Sequence, residues 1–222
     1  ICALLIALVY RMLPESLPKE QRHAFHGVGS PGTTEGAEDP QFLLLSLSVG
    51  LAFGGLSCIS GAAANFVMEI LHLPETAFAW LFVPLISGMV IGSAWGGKRA
   101  DKIRPTRMVW IGFGLMAAAA VVNVGYNALF VAEVPWAVLP LMVYTFGLAV
   151  AMPAIQVGAL GLFPENRGLA SSMLAFIQMM AFALVSGLVA PALFGSAFKL
   201  ACGVLVGMVG SLACWRISRK VM

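Results

Sequence analysis

The feature that most limits what this chain can fold into is a succession of apolar blocks, each of about 20 or more residues and almost free of charge. A helix rises ~1.5 Å per residue and needs roughly 20 residues to cross ~30 Å of hydrocarbon, so each block is long enough to span a bilayer. Inside hydrocarbon no water satisfies backbone N–H and C=O groups, which leaves helices and closed barrels as spanning structures. A barrel would show segments of about ten residues alternating apolar and polar, and no such alternation is present. A soluble helix that is apolar on all sides needs a large protein around it, which 222 residues do not provide. Composition agrees, with 60% of residues hydrophobic and 10% charged, against roughly 45–50% and about 25% in ordinary soluble domains. The expected class is an all-α membrane protein.

Residues 1–13 read as the end of a preceding transmembrane helix, because the apolar stretch Ile1 to Val9 lacks the basic leader and cleavage site of a signal peptide. Residues 14–41 read as a cytoplasmic linker loop. They hold Pro14, Pro18, Pro31 and Pro40 and a Gly/Thr/Glu-rich stretch that cannot bury a core. Residues 42–222 form the expected six-helix transmembrane domain, with spans at about 42–66, 78–97, 108–131, 136–162, 168–191 and 196–215. Arg11, Lys19 and Arg22 precede the first full span. Lys98, Arg99, Lys102, Arg104 and Arg107 join the second to the third, Arg167 the fourth to the fifth, and Arg216, Arg219 and Lys220 follow the last. Only Lys199 falls on the other side. Positive residues are retained in the cytoplasm, so the C-terminus is expected there. The spans also divide three plus three, 42–131 and 136–215, as inverted repeats of transporter halves do.

The second span carries Gly88, Gly92 and Gly96 at four-residue spacing, and the last carries Gly203 and Gly207. Small residues at this spacing let helices approach closely in lipid. Two readings stand, a fixed packing face and a smooth face along which helices slide. Pro84, Pro140, Pro153 and Pro191 lie in or near spans and predict kinks. No Asp, Glu, Lys, Arg or His lies mid-span; such a group is the usual mark of a proton relay. What the spans offer at depth is amide chemistry: Gln178, Gln156, Asn65, Asn123 and Asn127. A buried amide needs partners, so each reads either as an interhelical hydrogen bond or as a substrate contact. Gln178 is the strongest substrate candidate because it lies near mid-helix, with Phe176 and Met179 as adaptable apolar neighbours. The four cysteines are scattered through apolar blocks and read as small hydrophobes, so neither a metal nor another cofactor is expected. His23, His26 and His72 fall in loops rather than gathering at one depth, which argues against a membrane-embedded enzyme.

The connection from Gly97 to Arg107 resembles the major facilitator superfamily signature G-x-x-x-D-[R/K]-x-G-[R/K]-[R/K] in its second copy, after the eighth of twelve helices. Gly97, Asp101 and Lys102 match and Arg107 stands one residue past the pattern's last base, while Arg104 stands at the pattern's glycine and Pro105 at one of its bases. Leu13-Pro14-Glu15-Ser16-Leu17-Pro18 resembles the exit from the sixth helix. The stretch Leu162 to Ser172 resembles the tenth-to-eleventh connection of Bcr/CflA-type multidrug efflux transporters. The resemblance covers essentially the whole chain. It implies a major facilitator-like six-helix half-bundle in the bacterial inner membrane that exports small hydrophobic or amphipathic compounds by proton antiport and alternating access. Its implied partners are an N-terminal six-helix half of the same protein, the lipid bilayer, a small-molecule substrate and protons, with no nucleic acid. It further implies that the first, second, fourth and fifth spans face a central cavity, and that Gly97, Asp101, Lys102 and Arg107 form a conformational latch. The rival expectations are a non-transporting membrane scaffold and a membrane-embedded enzyme.

Overall fold

The computed structural model describes residues 39–61, 63, 68, 78–130, 133, 136–164 and 166–221, all within one unit, Gly32–Met222. Among the described residues there is no strand, and six helices are long and apolar enough to cross a membrane. They are α1 (Pro40–Gly61), α2 (Ala79–Arg99), α3 (Pro105–Leu129), α4 (Leu139–Gly161), α5 (Arg167–Ala192) and α6 (Ala197–Val221). Their 21 to 26 residues correspond to about 31–39 Å of helix at ~1.5 Å per residue. The expected preceding helix, most of the expected linker, and the expected end of the first span at residue 66 lie outside the described residues.

Local chemistry sets the ends. The Asp39 carboxylate accepts the N–H groups of Gln41 at 2.8 Å and Phe42 at 3.3 Å, and Pro40 follows at the first helical position, so Asp39 caps α1 rather than belonging to a loop. Helix α3 starts at Pro105, ahead of residue 108, because a proline in the first turn loses no hydrogen bond. Helix α6 runs past residue 215 to Val221, which puts Arg216, Arg219 and Lys220 in its last turns. Hydropathy locates the part of a helix inside the hydrocarbon, whereas the helix itself continues into water, where bases complement its carboxyl-terminal dipole. Helices α2 and α4 continue as single elements through Pro84 and Pro153. In α5 a π-turn, Val185–Val189, precedes Pro191, whose missing N–H already interrupts the ladder.

Helices α1 and α4 run antiparallel at the centre. Tyr144, buried on α4, donates its hydroxyl proton to the Ala52 carbonyl of α1 at 3.1 Å, and Phe42 meets Phe163 edge-on at 5.4 Å. The most extensive contacts are α1 with α6 and α3 with α4, both antiparallel. In the first, a Cβ on Gly207 would stand 2.6 Å from the Cα of Gly55. In the second, a Cβ on Gly147 would stand 2.6 Å from the Gly112 carbonyl oxygen. Next come α2 against α4 and α5 against α1, both parallel. Gly88 and Gly92 of α2 lie against Met142, Thr145, Phe146 and Ala149, whereas Gly50, Gly54 and Gly61 of α1 lie against Ala181, Val185 and Ser186 of α5. Helices α3 and α6 touch each other, with Trp110 edge-on to Trp215 at 5.2 Å. Exchanging α1 with α4, α2 with α5 and α3 with α6 therefore maps this set of contacts onto itself.

Two hydroxyls reinforce the α1–α6 crossing. The Ser48 hydroxyl donates to the Ser211 carbonyl at 2.9 Å, and that of Ser211 donates to the Ser48 carbonyl at 2.6 Å. Because α6 is antiparallel to both α1 and α3, the described bases gather at the end of the bundle that holds the start of α1. Lys199, at the start of α6, lies at the opposite end.

Candidate substrate-facing surface

By their contacts α2, α4, α1 and α5 follow one another in a row, with α3 and α6 packed behind α4 and α1. Within the row the two ends are the least covered. In its most apolar stretch α1 is 67% buried within the bundle, but α2 is 28% and α5 11%. Helix α5 meets α1 at Ala181 and Val185, and its buried Ala170 and Leu174 extend the same narrow strip along the helix. Most of its circumference is uncovered apolar surface, including Met180 and Leu188.

Gln178 sits at the edge of that strip. Its Cα lies 3.6 Å from the place a Cβ on Gly50 would take, and its side chain is half-buried with no hydrogen bond among the described residues. An amide in an apolar setting costs free energy until it finds a partner, and among the described residues Gln178, near the middle of α5, has donor and acceptor capacity that none of them meets. Phe176 and Met179 are 63% and 61% exposed. At 3.6 residues per turn Phe176 lies about 160° round the helix from Gln178, so these two do not share one face. Phe176 and Met179 are about 60° apart and do share one. Gln156, on α4 one turn beyond Pro153, is half-buried and also without a hydrogen bond among the described residues. Asn65 lies outside the described residues. The third helix differs from the expectation of interhelical or substrate bonding, because the Asn127 amide donates to the carbonyl and side-chain oxygens of Asn123 at 2.7 and 2.9 Å, within α3.

The α2–α3 connection closes through the Arg99 carbonyl, which accepts the N–H groups of Lys102 and Ile103, each at 3.0 Å. Arg104, at the signature's glycine position, has φ −57° and ψ 136°, a conformation open to any residue. Asp101 is exposed and makes no ion pair among the described residues. Gly97 lines an apolar cleft of about 500 Å³ with Ser93, Gly96, Met108, Pro153 and Val157. Lys102 and Arg107 line a different cleft, with Arg104, Trp110 and Arg219. Of the remaining glycines, Gly96 is looser, since a Cβ there would stand 3.6 Å from Met108, whereas a Cβ on Gly203 would stand 2.8 Å from Leu193 and 3.1 Å from Cys58. Sequence spacing does not single out Gly55, Gly112 or Gly147, nor the Ser48–Ser211 pair, because each makes its contact alone on its helix. The described His, Cys, Asp and Glu residues form no group that could hold a metal ion. No family model, no curated protein and no solved structure matches this chain.

Proposed function

We propose that the chain acts as one six-helix half of a secondary transporter of the major facilitator type. In this reading it exports small hydrophobic or amphipathic compounds by proton antiport, in the manner of the Bcr/CflA-type transporters. The observation that carries the reading is the self-mapping set of helix contacts, with a glycine-to-glycine crossing in each of the exchanged pairs α1–α6 and α3–α4, at Gly55/Gly207 and Gly112/Gly147. Inverted repeats with this relation are a common construction of secondary transporters, whose substrate sites lie near the bilayer midplane. The row α2–α4–α1–α5 supplies the face that a second bundle would close, and Gln178 supplies an uncharged polar group at the right depth. An amide can both donate to and accept from a ligand without the desolvation cost of a fixed charge. The base-rich end of the bundle would lie in the cytoplasm of a bacterial inner-membrane protein. Proton-carrying groups would come from the partner half, since none of the described helices carries an ionisable Asp, Glu, Lys, Arg or His at mid-span.

The test is drug-accumulation in efflux-deficient cells expressing this chain together with its partner half, across a panel of hydrophobic cations and neutral compounds. Uncoupler-sensitive reduction of accumulation is expected for some of the panel. Gln178→Ala should change which compounds are exported while leaving the protein level in the membrane unchanged. No effect on any compound would sink the transport reading. Export that is indifferent to Gln178→Ala would remove this residue from the site.

A further inference from the structure

The base-rich end of the bundle holds a cavity separate from the open face. It is a cleft of about 850 Å³ lined by Lys102, Arg104, Arg107, Trp110 and Arg219, with Ile103 and Thr106. Four cations converge on it, and none makes an ion pair among the described residues. Helix dipoles account for some of the bases nearby. Lys98 and Arg99 end α2, and Arg219 and Lys220 end α6, where a positive charge is favoured. Arg104 and Arg107 are placed the opposite way. They flank the start of α3, whose first turn holds no acidic residue, so the positive end of the dipole adds to their own charge. That juxtaposition is unfavourable for the empty protein and favourable for an anion.

Aromatic stacking fixes part of the cleft independently. The Arg219 guanidinium lies over the Trp215 ring at 5.4 Å, and that of Arg216 over the Trp110 ring at 4.6 Å. A guanidinium stacked in this way has one face covered and its N–H edge free for an in-plane acceptor such as a phosphate. One, two and three turns deeper, the face of α3 that bears Trp110 continues as Gly114, Ala118 and Val121. The face of α6 that bears Arg216 continues as Ala213 and Val209, and all five are exposed. A basic mouth thus opens onto two apolar strips running into the membrane. Free phosphate would have no use for the strips.

We propose that this cleft binds the phosphate headgroup of an anionic lipid, with the acyl chains lying along the outer faces of α3 and α6. The test uses the protein in detergent and its tryptophan emission, since Trp110 lines the cleft. It is titrated with short-chain phosphatidylglycerol, short-chain phosphatidylcholine and inorganic phosphate. Phosphatidylglycerol is expected to bind saturably and at least about tenfold more tightly than either of the others, with an affinity that falls as salt rises. Arg104→Gln and Arg107→Gln, both at exposed positions, should each weaken it by about tenfold. Lys199→Gln, at the opposite end, should bind as the unaltered protein does. Equal affinity for phosphatidylcholine, or an affinity unmoved by the two arginine substitutions, would overturn the proposal. Equal affinity for inorganic phosphate would overturn the lipid assignment and give the site to the free anion.

Discussion

Gly207→Ala tests the crossing on which the α1–α6 pair depends. The added methyl would stand 2.6 Å from the Gly55 Cα, 2.9 Å from the Gly55 nitrogen and 3.0 Å from the Leu51 carbonyl oxygen. All three are backbone atoms, so no side-chain rotation relieves the clash. Restoring an ordinary contact of 3.4 Å requires α1 and α6 to separate locally by roughly 0.8 Å. The same separation would stretch the Ser48–Ser211 bonds, now 2.6 and 2.9 Å, to about 3.4–3.7 Å, beyond useful O–H···O range. Overpacking of this kind costs about 1–3 kcal/mol, and two hydrogen bonds in a membrane add about 0.6 kcal/mol each. Helix propensity returns about 1 kcal/mol, which leaves a net loss of about 1–3 kcal/mol. Gly114→Ala is the control, because nothing lies within 4 Å of its Cβ position and only the propensity gain remains. The two variants should therefore differ by about 2–4 kcal/mol, with propensity cancelling. Gly55→Ala, whose methyl would meet the Val204 carbonyl oxygen at 3.1 Å and the Tyr144 hydroxyl at 3.2 Å, should fall between them. Unfolding in mixed micelles by titration with a denaturing detergent gives the comparison. Gly207→Ala and Gly114→Ala within about 0.5 kcal/mol of each other would refute the close-approach argument.

Ser48→Ala and Ser211→Ala, measured singly and together, should show a coupling of about 0.6–1.7 kcal/mol in the same unfolding assay, because each hydroxyl donates to the other helix. A coupling of zero would mean that the reciprocal bonds contribute nothing beyond packing. Asp101→Asn should lower transport while leaving the amount of inserted protein unchanged, if the carboxylate holds a basic partner in only one access state and biases the equilibrium by a few kcal/mol at most. Unchanged transport would leave the α2–α3 connection as a topology anchor.

The spans are legible in the sequence because bilayer crossing is a one-dimensional property, a length of uncharged chain. Their ends are less so. The run Arg216 to Val221 is helical beyond the end of the apolar block, where hydropathy carries no signal, and Asp39-Pro40 is a local capping pair hidden in a stretch read by its average composition. Depth is legible for Gln178, but direction is not. Which side of α5 is packed depends on Gly50, a residue distant in sequence, and that contact separates Gln178 from Phe176. The basic cleft is invisible for the same reason, since Arg107 and Arg219 meet only because α6 returns antiparallel to α3.

Glycine spacing gives a further case. Gly88 and Gly92 form a stripe that periodicity finds, as do Gly203 and Gly207 on the face of α6 turned to α1, whereas Gly55, Gly112 and Gly147 each act singly at a crossing of two backbones. The four glycines of the two crossings lie on exchanged helices, Gly55 on α1 answering Gly147 on α4 and Gly112 on α3 answering Gly207 on α6, though not at the same depth along them. The side chains around them do not match: Tyr144 bonds across from α4 to α1 with no tyrosine at the reciprocal place on α1, and the serine pair joins α1 to α6 alone. What the two halves share is therefore the closeness of backbone approach, which one missing Cβ suffices to permit, and not a common run of residues. A relation of that kind leaves almost no trace in sequence and becomes readable only once the helices are seen in contact.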